Sequence, residues 1–210
     1  FHSASIAQVQ ANMAGKTCPT STAITHGAPV VSAGADYIIP RSTPFVLTGS
    51  ATDTGGTGSM TFTWEQNDDA GASTGANSVA SATKTVGPNF VCYPDTSSPS
   101  RYFPTMASVL SGSTTTQGAD VTMEALSSVA RTLNFRLTAR DNVAGQGQTN
   151  FDNMVVTVDA TRGPLTVTSQ NVDGIVWAPN STQTVTWAVN NTNTSAGGSN
   201  VDILYTTDAG

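Results

Sequence analysis

Apolar and polar residues change period once along this chain, and they do so early. Ile6, Val9 and Met13 recur near the helical period behind Ser3, which can serve as an N-cap, so residues 1–14 read as a short helix. From Val30 onward the period is two. Phe45, Leu47, Gly49 and Ala51 fall on one face, and Met60, Phe62 and Trp64 alternate with Thr61, Thr63 and Glu65. Leu133, Phe135, Leu137 and Ala139 alternate with Thr132, Asn134, Arg136 and Thr138, and Met154, Val156 and Val158 make a last strand. Alternation of this kind, broken by glycine-rich turns, predicts half-buried antiparallel strands packed as a sandwich. Trp64 on the third strand suits an immunoglobulin-like core, which buries an indole there, although the paired cysteines of true immunoglobulin domains are absent.

The pattern divides the chain. Residues 15–29, with Cys18, two prolines and several Thr and Ser, read as a linker. Residues 30–160 read as one sandwich interrupted at about 67–130, where the alternation fades and only short apolar pieces remain: Phe90-Val91, Tyr102-Phe103 and Val109-Leu110. A structureless loop of that length is improbable in a compact domain, so short strands are expected inside it. A second unit occupies 161–210, with strands expected at 165–169, 182–189 and 201–206 and Val167, Val185, Trp187, Val189, Val201, Ile203 and Tyr205 facing inward. About half a sandwich is present there, which leads to the expectation of an incomplete unit with an unpaired 201–206 edge open to a protein partner or a neighbouring copy. The expected fold class is therefore all-β: tandem immunoglobulin-like (fibronectin- or cadherin-like) sandwiches behind a short N-terminal helix.

Composition narrows the function. Charged residues make up 10% of the 210, against roughly 25% in ordinary soluble domains, and Ser, Thr, Asn and Gly take their place. Such uncharged polar surfaces suit an extracellular or cell-surface setting. The net charge of −6 and the lack of a basic stripe exclude phosphate-driven nucleic-acid binding. No apolar run approaches the roughly 20 residues that span a bilayer as a helix. Cys18 and Cys92 leave two readings open, a mutual bridge or two thiols outside one.

Candidate chemistry is sparse. The loops that follow the strand at 45–51 and the strand at 133–140 lie at one end of a sandwich, which brings Asp53 and Asp141 together, with Asp152 entering the next strand from the same end. Clustered carboxylates are what Ca²⁺ requires, so these three are the candidate calcium ligands. The competing reading is that each caps a turn through its side chain. Trp64 and Trp187 alternate with polar residues and are expected in cores, whereas Trp177, beside Pro179, is the better candidate for an exposed aromatic. Asn180, Asn190 and Asn193 open formal glycosylation triplets, read as chance matches in an Asn/Thr-rich chain.

The runs Phe1-His2-Ser3-Ala4-Ser5-Ile6, Gly27-Ala28-Pro29-Val30-Val31, Pro44 through Asp53, Trp64-Glu65-Gln66, Ser98 through Pro104 and Arg131 through Thr138 follow one another in an order with a parallel elsewhere. So do Gln183 through Trp187 and Asn200 through Leu204. This set resembles the region downstream of the catalytic domain in secreted bacterial reprolysin-like zinc metalloproteases, with residues 1–14 resembling the end of that domain. Each run is weak and the ordered set is specific. The resemblance implies a HExxHxxGxxH zinc helix in the catalytic domain, and this chain has only His2 and His26, in no such spacing. Zinc is therefore expected only in a catalytic domain upstream, and this chain is expected not to be an enzyme. Two functions stand: a non-catalytic accessory region that spaces or anchors the protease, or a structural subunit of an extracellular fibre or adhesin.

Overall fold

The computed structural model describes residues 2–18, 20, 22–55, 59–71, 73–172, 174–195 and 198–204. Helix α1 (Ser3–Ala14) leads into β1 (Val30–Ser32), β2 (Tyr37–Pro40), β3 (Phe45–Thr48), β4 (Ser50–Thr52) and β5 (Thr61–Gln66). The insertion carries β6 (Ser100–Phe103), helix α2 (Met106–Leu110), β7 (Thr115–Gln117) and β8 (Thr122–Ala125). Two long strands follow, β9 (Arg131–Arg140) and β10 (Thr149–Asp159), and then the short β11 (Thr166–Val167) and β12 (Trp187–Ala188). The protein is strand-rich with few helices, and no helix among the described residues is long and apolar enough to cross a membrane.

The main sheet has the order β2-β10-β9-β5. β9 is antiparallel to both neighbours, whereas β2 runs parallel to β10, with Tyr37 opposite Val156 and Pro40 opposite Asp159. Two smaller antiparallel pairs, β1-β4 and β3-β6, supply the opposing apolar side chains. Alternation on β9 sends Leu133, Phe135, Leu137 and Ala139 into the core, where they meet Trp64, Leu47, Phe103, Met154, Val156 and Val158. Phe103 and Phe135 lie 4.9 Å apart edge to face, and Phe45 stacks on Phe103 at 5.0 Å.

The run 45–51 is divided at Gly49, so that β3 pairs with β6 while β4 pairs with β1. A Cβ at Gly49 would lie 2.2 Å from Leu137 Cδ2 and 2.6 Å from the Ser32 carbonyl. Only glycine fits where the chain passes from one pair to the other.

Side chains replace missing ladders in the insertion. Arg101 donates to the carbonyls of Trp64 (2.8 Å) and Val91 (2.6 Å) and to Glu124 Oε1 (2.6 Å). Glu124 is fully buried and also accepts from the Thr105 N–H (3.1 Å) and the Thr116 hydroxyl (2.9 Å). The guanidinium lies over the Phe103 and Tyr93 rings at 4.4 and 4.8 Å. Arg131 holds the carbonyls of Lys84 and Gly87, and Gln66 Oε1 accepts from the N–H groups of Asn89 and Phe90. Backbone groups that no sheet satisfies are thus paired one by one.

Several expectations need correction. Ser3 is not the N-cap; that position is His2, and Ser3 is the buried first residue of α1. Of the apolar pieces in the insertion, Tyr102-Phe103 lie in β6 and Val109-Leu110 in α2. In the second unit, 165–169 and 182–189 contribute only the two-residue strands β11 and β12, and 201–204 form no strand. Tyr205 and Thr206 lie outside the described residues. The reason is visible in the exposure of the side chains expected inside. Val201 and Ile203 are 44% and 66% exposed, and a strand whose apolar face meets no second layer gains little by extending. Trp64 is buried as expected, Trp187 is half-buried, and Trp177 is exposed. Cys18 and Cys92 are free thiols.

Candidate functional site

Two groups of side chains that could hold a metal ion form among the described residues. The first joins His2, Glu65 and Cys92. Glu65 points away from the core, yet its side chain is only 4% exposed, because the start of α1 and the 88–96 segment cover that face of β5. One carboxylate oxygen meets His2 Nδ1 at 2.5 Å, and the other accepts the Ser3 N–H at 3.1 Å. An anion there satisfies one of the unpaired N–H groups at a helix start and complements the helix dipole. Burial alone would raise the Glu65 pKa. Hydrogen bonds from Ser3 and His2, with the charge of His2, outweigh burial and set it below its ordinary value. Arg136 adds a bond from Nη1 to the Ser3 hydroxyl at 3.2 Å. Burial and the neighbouring Glu65 carboxylate push the Cys92 thiol up, so it stays protonated at neutral pH. An open groove of about 730 Å³ runs beside this group along Pro88–Cys92 and Val121–Met123.

The second group joins His26, Asp53 and Asp141, with donor atoms all within 4.8 Å of one another. It gathers three distant stretches of chain: the segment before β1, the turn after β4, and the first residue after β9. Asp53 Oδ1 accepts the Gly55 N–H at 3.2 Å, and Asp141 Oδ1 accepts the N–H groups of Val143 (3.3 Å) and Gln148 (2.7 Å). Both aspartates thus cap turns, each through one oxygen. Gln148 Nε2 donates to the His26 carbonyl at 2.8 Å and faces its Nδ1 at 3.2 Å. A Cβ on Gly55 would fall 2.2 Å from that of His26, so the turn lies directly against the imidazole.

Of the three carboxylates read from the sequence, the structure brings Asp53 and Asp141 together and leaves Asp152 outside the group. Asp152 Oδ2 accepts the Ala33 N–H at 2.9 Å and Oδ1 accepts that of Asn153, which fixes the end of β1 to β10. The residue that sequence reasoning missed is His26, which sits in the stretch read as linker. That stretch is not free at its end: Thr25 bonds to Gln146, and Asn150 Nδ2 donates to the Pro29 carbonyl. The signal available was the scarcity of histidine itself, two in 210 residues.

Comparison of this chain with protein-family models, with curated proteins and with solved structures finds no match.

Proposed function

We propose that this chain is a non-catalytic accessory region of a secreted zinc metalloprotease, built from tandem immunoglobulin-like sandwiches, that spaces or anchors the catalytic domain outside the cell or at its surface. The ordered resemblance of its sequence runs supports the reading, and one geometric observation carries it. The helix that resembles the end of the catalytic domain is moored at its first two described residues to a buried carboxylate on β5, through His2 and Ser3. A spacer requires such a mooring, since it turns a flexible attachment into a fixed one.

The test begins with the coding sequence upstream of Phe1. A HExxHxxGxxH helix there is the expected result; further sandwich repeats, or an unrelated domain, would overturn the reading. The purified chain is expected to hydrolyse no casein with or without zinc, and chelator-sensitive hydrolysis that survives repurification would overturn it as well.

A second reading, a structural subunit of an extracellular fibre or adhesin, is favoured by a specific observation. Val176, Ile203 and Leu204 are 90%, 66% and 90% exposed, and the backbone at 201–204 pairs with no strand among the described residues. A second copy adding a strand there would cover Ile203 and Leu204. Sedimentation that stays monomeric at high concentration counts against it.

A further inference from the structure

We propose that His26, Asp53 and Asp141 form a binding site for a divalent metal of the zinc class that pins the segment before β1 to the end of the sheet. Carboxylates near a turn would not by themselves carry this. The decisive observation is that one buried ring nitrogen and one buried carboxylate oxygen of the group lack a hydrogen bond among the described residues. The side chains of His26 and Asp141 are 7% and 1% exposed, and His26 Nε2 and Asp141 Oδ2 find no hydrogen bond among the described residues. A buried carboxylate oxygen left unpaired is costly, and such sites are filled by a cation or a donor.

His26 Nδ1 and Asp141 Oδ2 stand 3.7 Å apart, beyond the reach of a hydrogen bond. Nδ1 also lies 3.2 Å from Gln148 Nε2, which donates to the His26 carbonyl, and 3.3 Å from the Gly27 carbonyl. In the Nε2–H tautomer the ring would present its Nδ1 lone pair on the side where Asp141 Oδ2 presents another. Two acceptors facing across such a gap suit ligands of one metal: at bond lengths of about 2.1 Å, tetrahedral geometry spaces neighbouring ligand atoms by roughly 3.4 Å. The half-buried Asp53 supplies the third donor within 4.8 Å.

The donor set selects the metal. Calcium takes six to eight oxygens, whereas one imidazole and two carboxylates match zinc and its neighbours, with a position left for water. The ligands are also held from behind as such sites require, Asp141 by two backbone N–H groups and Asp53 by one. The His2–Glu65–Cys92 group lacks these marks, since its carboxylate is already bonded on both oxygens and its histidine side chain is 65% exposed.

The test uses the untagged 210-residue chain, stripped with EDTA and titrated at neutral pH with ZnCl₂ by calorimetry. One zinc per chain is expected at this site. Binding should weaken by at least about tenfold in Asp53→Asn and in His26→Gln, remain unchanged in Cys92→Ser, and resist displacement by millimolar CaCl₂. Asp53 is half-buried, so Asp53→Asn should keep the fold, checked by an unchanged circular dichroism spectrum of the metal-free form. The cobalt-loaded chain should show visible ligand-field bands without a thiolate charge-transfer band. Absence of zinc binding, binding equally tight in both variants, or a thiolate band lost in Cys92→Ser would overturn the proposal. Calcium binding lost in Asp53→Asn, with none for zinc, would overturn the choice of metal.

Discussion

Replacing Arg101 by Met keeps the length of the stem and removes the guanidinium from a site where five polar groups depend on one another. Three hydrogen bonds disappear, to the Trp64 and Val91 carbonyls and to Glu124. Glu124 then remains fully buried with only the Thr105 N–H and the Thr116 hydroxyl to hold it. Breaking a buried ion pair from one side typically costs about 3–5 kcal/mol, more than the pair itself contributes, because the surviving charge is stranded. Lost stacking over Phe103 and Tyr93 acts in the same direction. With a urea m-value of about 2 kcal/mol/M, a loss of about 4 kcal/mol moves the midpoint down by about 2 M. The assay is urea unfolding followed by tryptophan fluorescence, since Trp64 sits in the same core. Glu124→Gln should cost less than Arg101→Met, and the double variant should fall short of the sum, because the stranded charge is what makes the single change expensive. A midpoint shift in Arg101→Met below that of a 1 kcal/mol loss, or additive single effects, would mean that the insertion is held by its apolar contacts and that the ion-pair argument is wrong.

Other outcomes follow from features already described. Trp64→Ala should cost about 3–5 kcal/mol, since the indole is 3% exposed and its Nε1 donates to the Pro99 carbonyl; a cost under 1 kcal/mol in the same unfolding assay would place it outside the core. Glu65 has its pKa lowered in the fold, so its contribution is present above the unfolded value near 4.5 and is lost as pH falls through the folded value. Acid titration by circular dichroism should therefore show α1 released below pH 4.5 in the wild type, and Glu65→Gln should loosen α1 already at neutral pH; identical profiles would count against the mooring. Hydrogen exchange should be fast over 164–204, where among the described residues only β11 and β12 pair as strands, and slow along β9 and β10; equal protection would show that the second unit is ordered as firmly as the first.

How far the sequence could be read depended on whether a strand had one wet face. β9 and β10 each alternate because one side meets the core, and their inward residues were legible from the period alone. β2 carries Tyr37-Ile38-Ile39-Pro40, which has no alternation, and its parallel pairing to β10 depends on a neighbour more than a hundred residues away. Gly49 looked like a residue inside a strand, and its part in dividing β3 from β4 becomes visible only once Leu137 and the Ser32 carbonyl are beside it. On β5 the alternation pointed Thr63 and Glu65 outward correctly, but both are buried, because α1 and the 88–96 segment return over that face. The same holds at the candidate site. Asp53 and Asp141 could be brought together by strand order, whereas His26 comes from a stretch with no period and is placed by side-chain bonds to Gln148. Asp152 lay near enough in sequence to suggest a ligand, and its oxygens serve β1 and its own neighbour instead.

The parallel pairing of β2 with β10 also sets how the unit would answer a pull along its length. Tension arriving from the N-terminal side enters β2 at Tyr37, once the three-residue β1 has yielded, and tension toward the second unit leaves β10 at Asp159. In a parallel pair those two points lie at opposite ends of the ladder. The load therefore shears the bonds between Tyr37–Pro40 and Val156–Asp159 together, instead of peeling them open one after another. A hairpin-like antiparallel arrangement of the same two strands would unzip from one end at much lower force. Forced unfolding is governed by the height of the barrier rather than by the equilibrium free energy. A short edge strand of four residues thus gives this unit a resistance to pulling that its equilibrium stability would not disclose.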